Sequence, residues 1–128
     1  MREWPRRRIL LKAREGITAM KARQGISQID RMVRRIVKQF DPDRVILFGS
    51  HARGEAGPDS DVDLLVVMPV EGSRREKRLE IRAALHDIPV SKDIVVVTPE
   101  QFEKQSALAG TIVRPAVQEG KVLYERAA

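Results

Sequence analysis

Three short runs of Val, Ile and Leu constrain this chain most: Val45–Phe48, Val62–Val67 and Ile94–Val97, each followed within a few residues by a helix-start signal. Runs of four to six apolar, mostly β-branched residues read as buried strands. After the first come Gly49 and Ser50. After the second comes Ser73-Arg74-Arg75-Glu76, and after the third Thr98-Pro99-Glu100-Gln101. The last two are capping signatures, a hydroxyl followed three positions later by Glu or Gln. The order predicts strands Arg44–Phe48, Val62–Met68 and Lys92–Val97, with helices from Ser73 to about His86 and from Thr98. A further helix is expected over Thr111–Gln118, and a last strand over Lys121–Tyr124. Alternating strands and helices on 128 residues predict one α+β (mixed α/β) domain, a small mixed β-sheet with helices packed on it.

Upstream, Ile26, Ile29, Val33, Ile36, Val37 and Phe40 recur at helical spacing, with Arg31, Arg34, Arg35 and Lys38 on the other side. Ser27 is the expected N-cap of this helix, and Asp41-Pro42-Asp43 its end. A separate helix is expected over residues 7–24, interrupted at Gly16 and stopped at Gly25. The division that follows is a basic, helical N-terminal extension over 1–26 and a folded domain over 27–128.

Charge is uneven. Residues 1–40 hold 12 basic and three acidic side chains, a net +9, whereas residues 41–128 are net −3. The basic third is either a solvated helical face or a contact for an acidic partner, nucleic acid included. Few aromatics accompany its arginines, which argues against base stacking. No apolar run approaches the roughly 20 residues of a membrane helix. The chain has no cysteine, which excludes disulfides and thiolate zinc sites and is compatible with a reducing cytoplasm.

The stretch from Phe48 to Val67 carries the chemistry. Asp61 and Asp63 stand two apart at the mouth of a strand, so a period of two places both on one face and Val62 on the other. Carboxylates held that close repel, and a hard divalent cation relieves the repulsion; Mg²⁺ suits one or two carboxylates plus substrate phosphates. Gly49-Ser50, at a strand-to-helix turn, offers a close backbone approach, N–H groups and a hydroxyl to an anion. Asp93 opens the third strand. If that strand lies beside the second, Asp93 reaches the same cleft, where it would help hold a second metal and accept a proton from an attacking hydroxyl. Arg53 either contacts phosphate or pairs with Glu55 or Asp59. His51 belongs to a helix surface or a cleft rim, and Ser60 orients the loop before Asp61.

Gly49-Ser50-His51-Ala52-Arg53-Gly54, followed by Ser60-Asp61-Val62-Asp63-Leu64 and the later Asp93, resembles the polymerase-beta-type nucleotidyltransferase superfamily. Its likeness is to the small prokaryotic branch, the minimal nucleotidyltransferases, over about residues 28–125. The resemblance implies transfer of a nucleoside monophosphate, AMP from ATP, to a hydroxyl, with two Mg²⁺ ions. The metal ligands and catalytic residues would be Asp61, Asp63 and Asp93; Gly49, Ser50 and Arg53 would hold the nucleotide. It further implies an antitoxin that modifies a tyrosine of a HEPN-domain toxin partner, with an acceptor site that is shallow or completed by another subunit. Two other readings stand beside it. One is a non-catalytic toxin-binding antitoxin. The other is a nucleic-acid-binding or RNA-modifying nucleotidyltransferase that uses residues 1–40. An oligomer is compatible with all three.

Overall fold

The structure is a computed structural model that describes residues 20–57 and 59–127. Helix α1 (Met20–Phe40) leads into strand β1 (Arg44–Phe48), the single-turn α2 (Ser50–Arg53) and β2 (Val62–Val67). Helix α3 (Arg74–Ala84), β3 (Lys92–Val97), α4 (Pro99–Gln105), α5 (Val113–Glu119) and β4 (Lys121–Glu125) follow. The strands form one mixed sheet in the order β3-β2-β1-β4. β1 runs antiparallel to both β2 and β4, while β2 and β3 are parallel with α3 as the crossover. The expected mixed sheet with helices packed on it is the observed fold.

Alternation along each strand separates two cores. Val45, Leu47, Val62, Leu64, Val66, Ile94 and Val96 face a core completed by Ile29, Met32, Val33, Ile36 and Val37 of α1 and by Ile81 of α3. Ile46, Phe48, Leu65, Val67 and Val97 face the other side, under Val113 and Ala116 of α5, with Phe102 of α4 packed alongside. A strand stretch covered on both faces is apolar at each position, which is why β2 reads as a continuous Leu-Val run from Leu64 onward, past Asp63 at its mouth. Each such side chain, once fully buried, contributes about 1.5–3 kcal/mol of transfer free energy. In β4 the alternation breaks: the register slips between Val45 and Ile46, which face Tyr124 and Val122. Leu123 is the extra residue, so that it and Tyr124 both enter the first core.

The capping signals act as the sequence predicts. Ser73 accepts from the Glu76 N–H at 3.2 Å. Thr98 and Gln101 satisfy each other's backbone reciprocally, at 3.1 and 3.0 Å. One expectation is corrected. Gly25 does not stop a helix and Ser27 does not cap one, because α1 runs without interruption from Met20 to Phe40. A glycine inside a helix costs only about 1 kcal/mol. Once the buried stripe of α1 nucleates the helix, extension past Gly25 adds one hydrogen bond per residue fixed. The helix expected over 7–24 lies outside the described residues as far as residue 19, as does Pro58 at the centre of the loop.

Candidate active site

β1, an inner strand, delivers Gly49 to one end of the sheet, and the backbone turns there into α2. Gly49 has φ 76° and ψ −157°, a region open essentially to glycine alone. Its carbonyl accepts from the N–H groups of Ala52 and Arg53 at 3.0 and 3.1 Å. Gly54 closes the turn in the left-handed conformation. A helix start leaves its first N–H groups without intrahelical acceptors, so Ser50 and His51 present theirs at this end of the sheet.

Strand register brings two of the carboxylates together. Asp63 is the Cα partner of Phe48 on β1 and of Asp93 on β3. It lies on the sheet face that carries Leu65 and Val67, as the period of two requires, and Val62 points into the opposite core. Asp63 also packs against Gly49: a Cβ at position 49 would fall 2.2 Å from its Oδ2. Partial burial pushes the Asp63 carboxyl above the usual carboxylate range, and the charges of Asp93 and Asp61 push it further. His51 and Arg53 oppose that rise. Both are therefore within electrostatic reach of Asp63.

Asp61 lies one residue before β2 and is exposed, as is Asp93. Its Oδ1 accepts a hydrogen bond from the Ser91 hydroxyl. The Ser91 carbonyl in turn accepts from the Val62 N–H at 2.9 Å. One residue of the loop before β3 thus holds both the Asp61 side chain and the backbone beside it. On the other flank, His51 Nε2 lies 3.3 Å from the Ser60 carbonyl, which ties α2 to the residue before Asp61. The Ser60 hydroxyl accepts from the Gly57 N–H at 2.9 Å, the loop-ordering role expected of it. Among the described residues, no three His, Cys, Asp or Glu side chains stand close enough together to hold a metal ion by themselves.

Arg53 pairs with Glu55 at 2.9 Å and with Glu119 at 3.4 Å. The hydrogen bond to Glu55 raises its pKa above the ordinary value, and Glu119 adds to this. The expected pairing with Glu55 is present, and the second carboxylate partner is Glu119 rather than Asp59. Sequence reasoning missed Ser91 and Glu119. Ser91 becomes visible only once Val62 is known to face Lys92, because that register sets Ser91 beside Asp61. No local signal marks Glu119.

Comparisons with known proteins bear on the family and the fold. Over 42 residues the chain is 48% identical to a Methanocaldococcus jannaschii protein named "Putative protein adenylyltransferase"; the match covers 33% of this chain and 42% of that protein. A Sulfolobus solfataricus protein described as a "putative nucleotidyltransferase" superposes with a TM-score of 0.60 at 19% identity, covering 88% of this chain and 93% of that one. That likeness is one of fold. A Shewanella oneidensis structure, a tri-AMPylated HEPN toxin with its MNT antitoxin, aligns at 19% identity and a TM-score of 0.41, over 80% of this chain and 73% of that one. An overlap so loose carries no inference. The sequence profile of the nucleotidyltransferase domain matches residues 30–123. That span runs from α1 through β4 and includes the Gly49 turn and all three aspartates, so the chain belongs to the nucleotidyltransferase domain family.

Proposed function

We propose that this protein is a Mg²⁺-dependent nucleotidyltransferase that moves AMP from ATP onto a hydroxyl of a partner protein. The acceptor would be a tyrosine of a HEPN-type toxin, and the protein would act as its antitoxin. The observation that carries the proposal is the pairing of Asp63 with Asp93 across parallel strands, beside Asp61 and against Gly49. AMP, the antitoxin role and the HEPN partner rest on the resemblance of the Gly-Ser and Asp-x-Asp motifs. The name of the Methanocaldococcus relative supports protein adenylylation.

The residues fit a hard cation of a particular kind. Burial first, and then the charges of Asp93 and Asp61, lift Asp63, yet no set of three among the described residues forms a closed cage. That suits Mg²⁺, which takes one or two carboxylates and completes its shell with waters and substrate phosphates. Asp61 and Asp63, with Asp93, would hold it. When bound, it would supply charge neutralisation for the leaving pyrophosphate.

The chain's own groups would do the rest. Gly49 lets the backbone approach a phosphate without a side chain in the way, and Ser50 donates its hydroxyl to the same anion. Asp93, itself exposed on the edge strand β3, would accept the proton of the attacking hydroxyl. Ser91 and His51 keep the Asp61 segment in place.

The test is intact-mass analysis of a co-purified partner after incubation with ATP and Mg²⁺. Addition of adenylate by the wild type and none by Asp61→Asn or Asp63→Asn is expected. An unmodified partner overturns the reading, and equal modification by the Asn variants removes the metal assignment.

A further inference from the structure

The positive charge is not confined to the N-terminal extension. Gln28–Phe40 of α1 carries four basic residues and one acidic; α3 carries five basic and two acidic. The two helices lie side by side on the sheet face opposite Asp63 and Leu65. They run antiparallel: Lys77 Nζ sits 5.7 Å from the centre of the Phe40 ring, and Arg35 donates to the Ala84 carbonyl at 3.0 Å. Their solvent sides therefore merge into one surface. Asp30, Asp87 and Glu80 neutralise Arg34, Arg35 and Lys77. Arg31, Lys38, Arg74 and Arg75 are exposed and pair with no carboxylate among the described residues.

We infer that this α1–α3 surface is a docking face for the phosphate backbone of a nucleic-acid duplex, separate from the nucleotidyl-transfer site. Two features favour a duplex. Leu79 is the one large apolar side chain exposed on these helices among the described residues, whereas a protein partner wants an apolar interface core. Backbone-binding surfaces are instead polar and strongly positive. Every Phe and Tyr ring among the described residues is buried or half-buried, so these rings offer unpaired bases little to stack on. A duplex offers one phosphate charge per roughly 1.7 Å of its axis without any need to read bases. Because the face lies across the sheet from Asp63 and Asp93, docking and catalysis are separable.

The experiment measures binding of the full chain to a DNA and an RNA duplex of about two helical turns, across a range of salt concentrations. The triple variant Arg31→Glu, Arg74→Glu, Arg75→Glu is compared with Lys104→Glu, Arg114→Glu, Lys121→Glu, which changes net charge equally on α4, α5 and β4. The residues before α1 are common to both and cancel. The α1–α3 variant is expected to bind at least about tenfold more weakly and to lose about 2–3 units of log–log salt slope, roughly 0.9 per phosphate contact. The control is expected to stay within about twofold. Equal loss in both sets overturns the proposal, leaving net charge as the cause. Polyglutamate binding as tightly as the duplexes also overturns it, in favour of an acidic protein surface. Arg74→Gln with Arg75→Gln keeps the test open if the triple variant does not fold, and an intermediate loss is expected. A preference between the RNA and DNA duplex identifies the source of the phosphates.

Discussion

Gly49 and Asp63 occupy each other's space: the Cβ that any other residue would bring to position 49 falls 2.2 Å from Asp63 Oδ2. The glycine is therefore required twice, once by its φ of 76° and once by the carboxylate lying over its Cα. Gly49→Ala is expected to cost about 1–3 kcal/mol from backbone strain, plus the displacement of Asp63. In an Asp63→Ala background the second part vanishes. Denaturant unfolding of the two single variants and the double variant measures that coupling, and strict additivity would show that the contact carries no energy.

Asp63 sets a pH dependence of stability. Its folded-state pKa is raised, first by burial and then by Asp93 and Asp61. Between the ordinary carboxylate range and that raised value the native state holds a proton the unfolded chain has lost. Stability therefore falls as pH rises through this window, and above it the repulsion is fully present. Asp63→Asn is expected to melt higher than wild type at neutral pH in chelator, with the difference closing in acid. Thermal midpoints across pH check this; a gap that persists in acid would assign the gain to packing rather than charge.

Ser91 is expected to matter through Asp61, whose Oδ1 takes its hydroxyl hydrogen bond. If Asp61 holds a metal ion as proposed, removing the group that orients it typically costs about 10–100-fold in activity or metal affinity. Ser91→Ala is expected to lose transfer activity on that scale while its melting temperature stays near wild type, and Ser91→Thr to restore most of it. Full activity in Ser91→Ala would leave the hydrogen bond without a role.

Gly120 joins α5 to β4 in a place with no room for a side chain. An added Cβ would meet the Ala116 carbonyl at 2.1 Å and the Leu47 carbonyl at 2.9 Å. Both carbonyls are backbone, so that strain cannot be relieved by a rotamer change, and Ile46 Cγ2 crowds the same place at 2.8 Å. Gly120→Ala is expected to destabilise by at least about 1–3 kcal/mol, whereas Gly57→Ala, where a Cβ meets nothing within 4 Å, is expected to leave the unfolding midpoint near wild type.

The local elements were legible in the residues alone. Runs of Val, Ile and Leu mark β1 and β3 to the residue, and Ser73 and Thr98 start α3 and α4 where their hydroxyls meet free N–H groups. These follow from propensity, periodicity and capping, which act within a few positions of the chain. The motif Gly49-Ser50 with Asp61 and Asp63 was legible for the same reason. Tertiary structure alone decided the rest: the order β3-β2-β1-β4, the register that sets Asp63 opposite Asp93, Ser91 beside Asp61 and Glu119 against Arg53. It also carried α1 through Gly25, where a local rule had placed a stop. Such pairings join residues about 30 to 66 positions apart. They are chosen by burying both faces of one sheet at once, a condition that no short stretch of sequence contains.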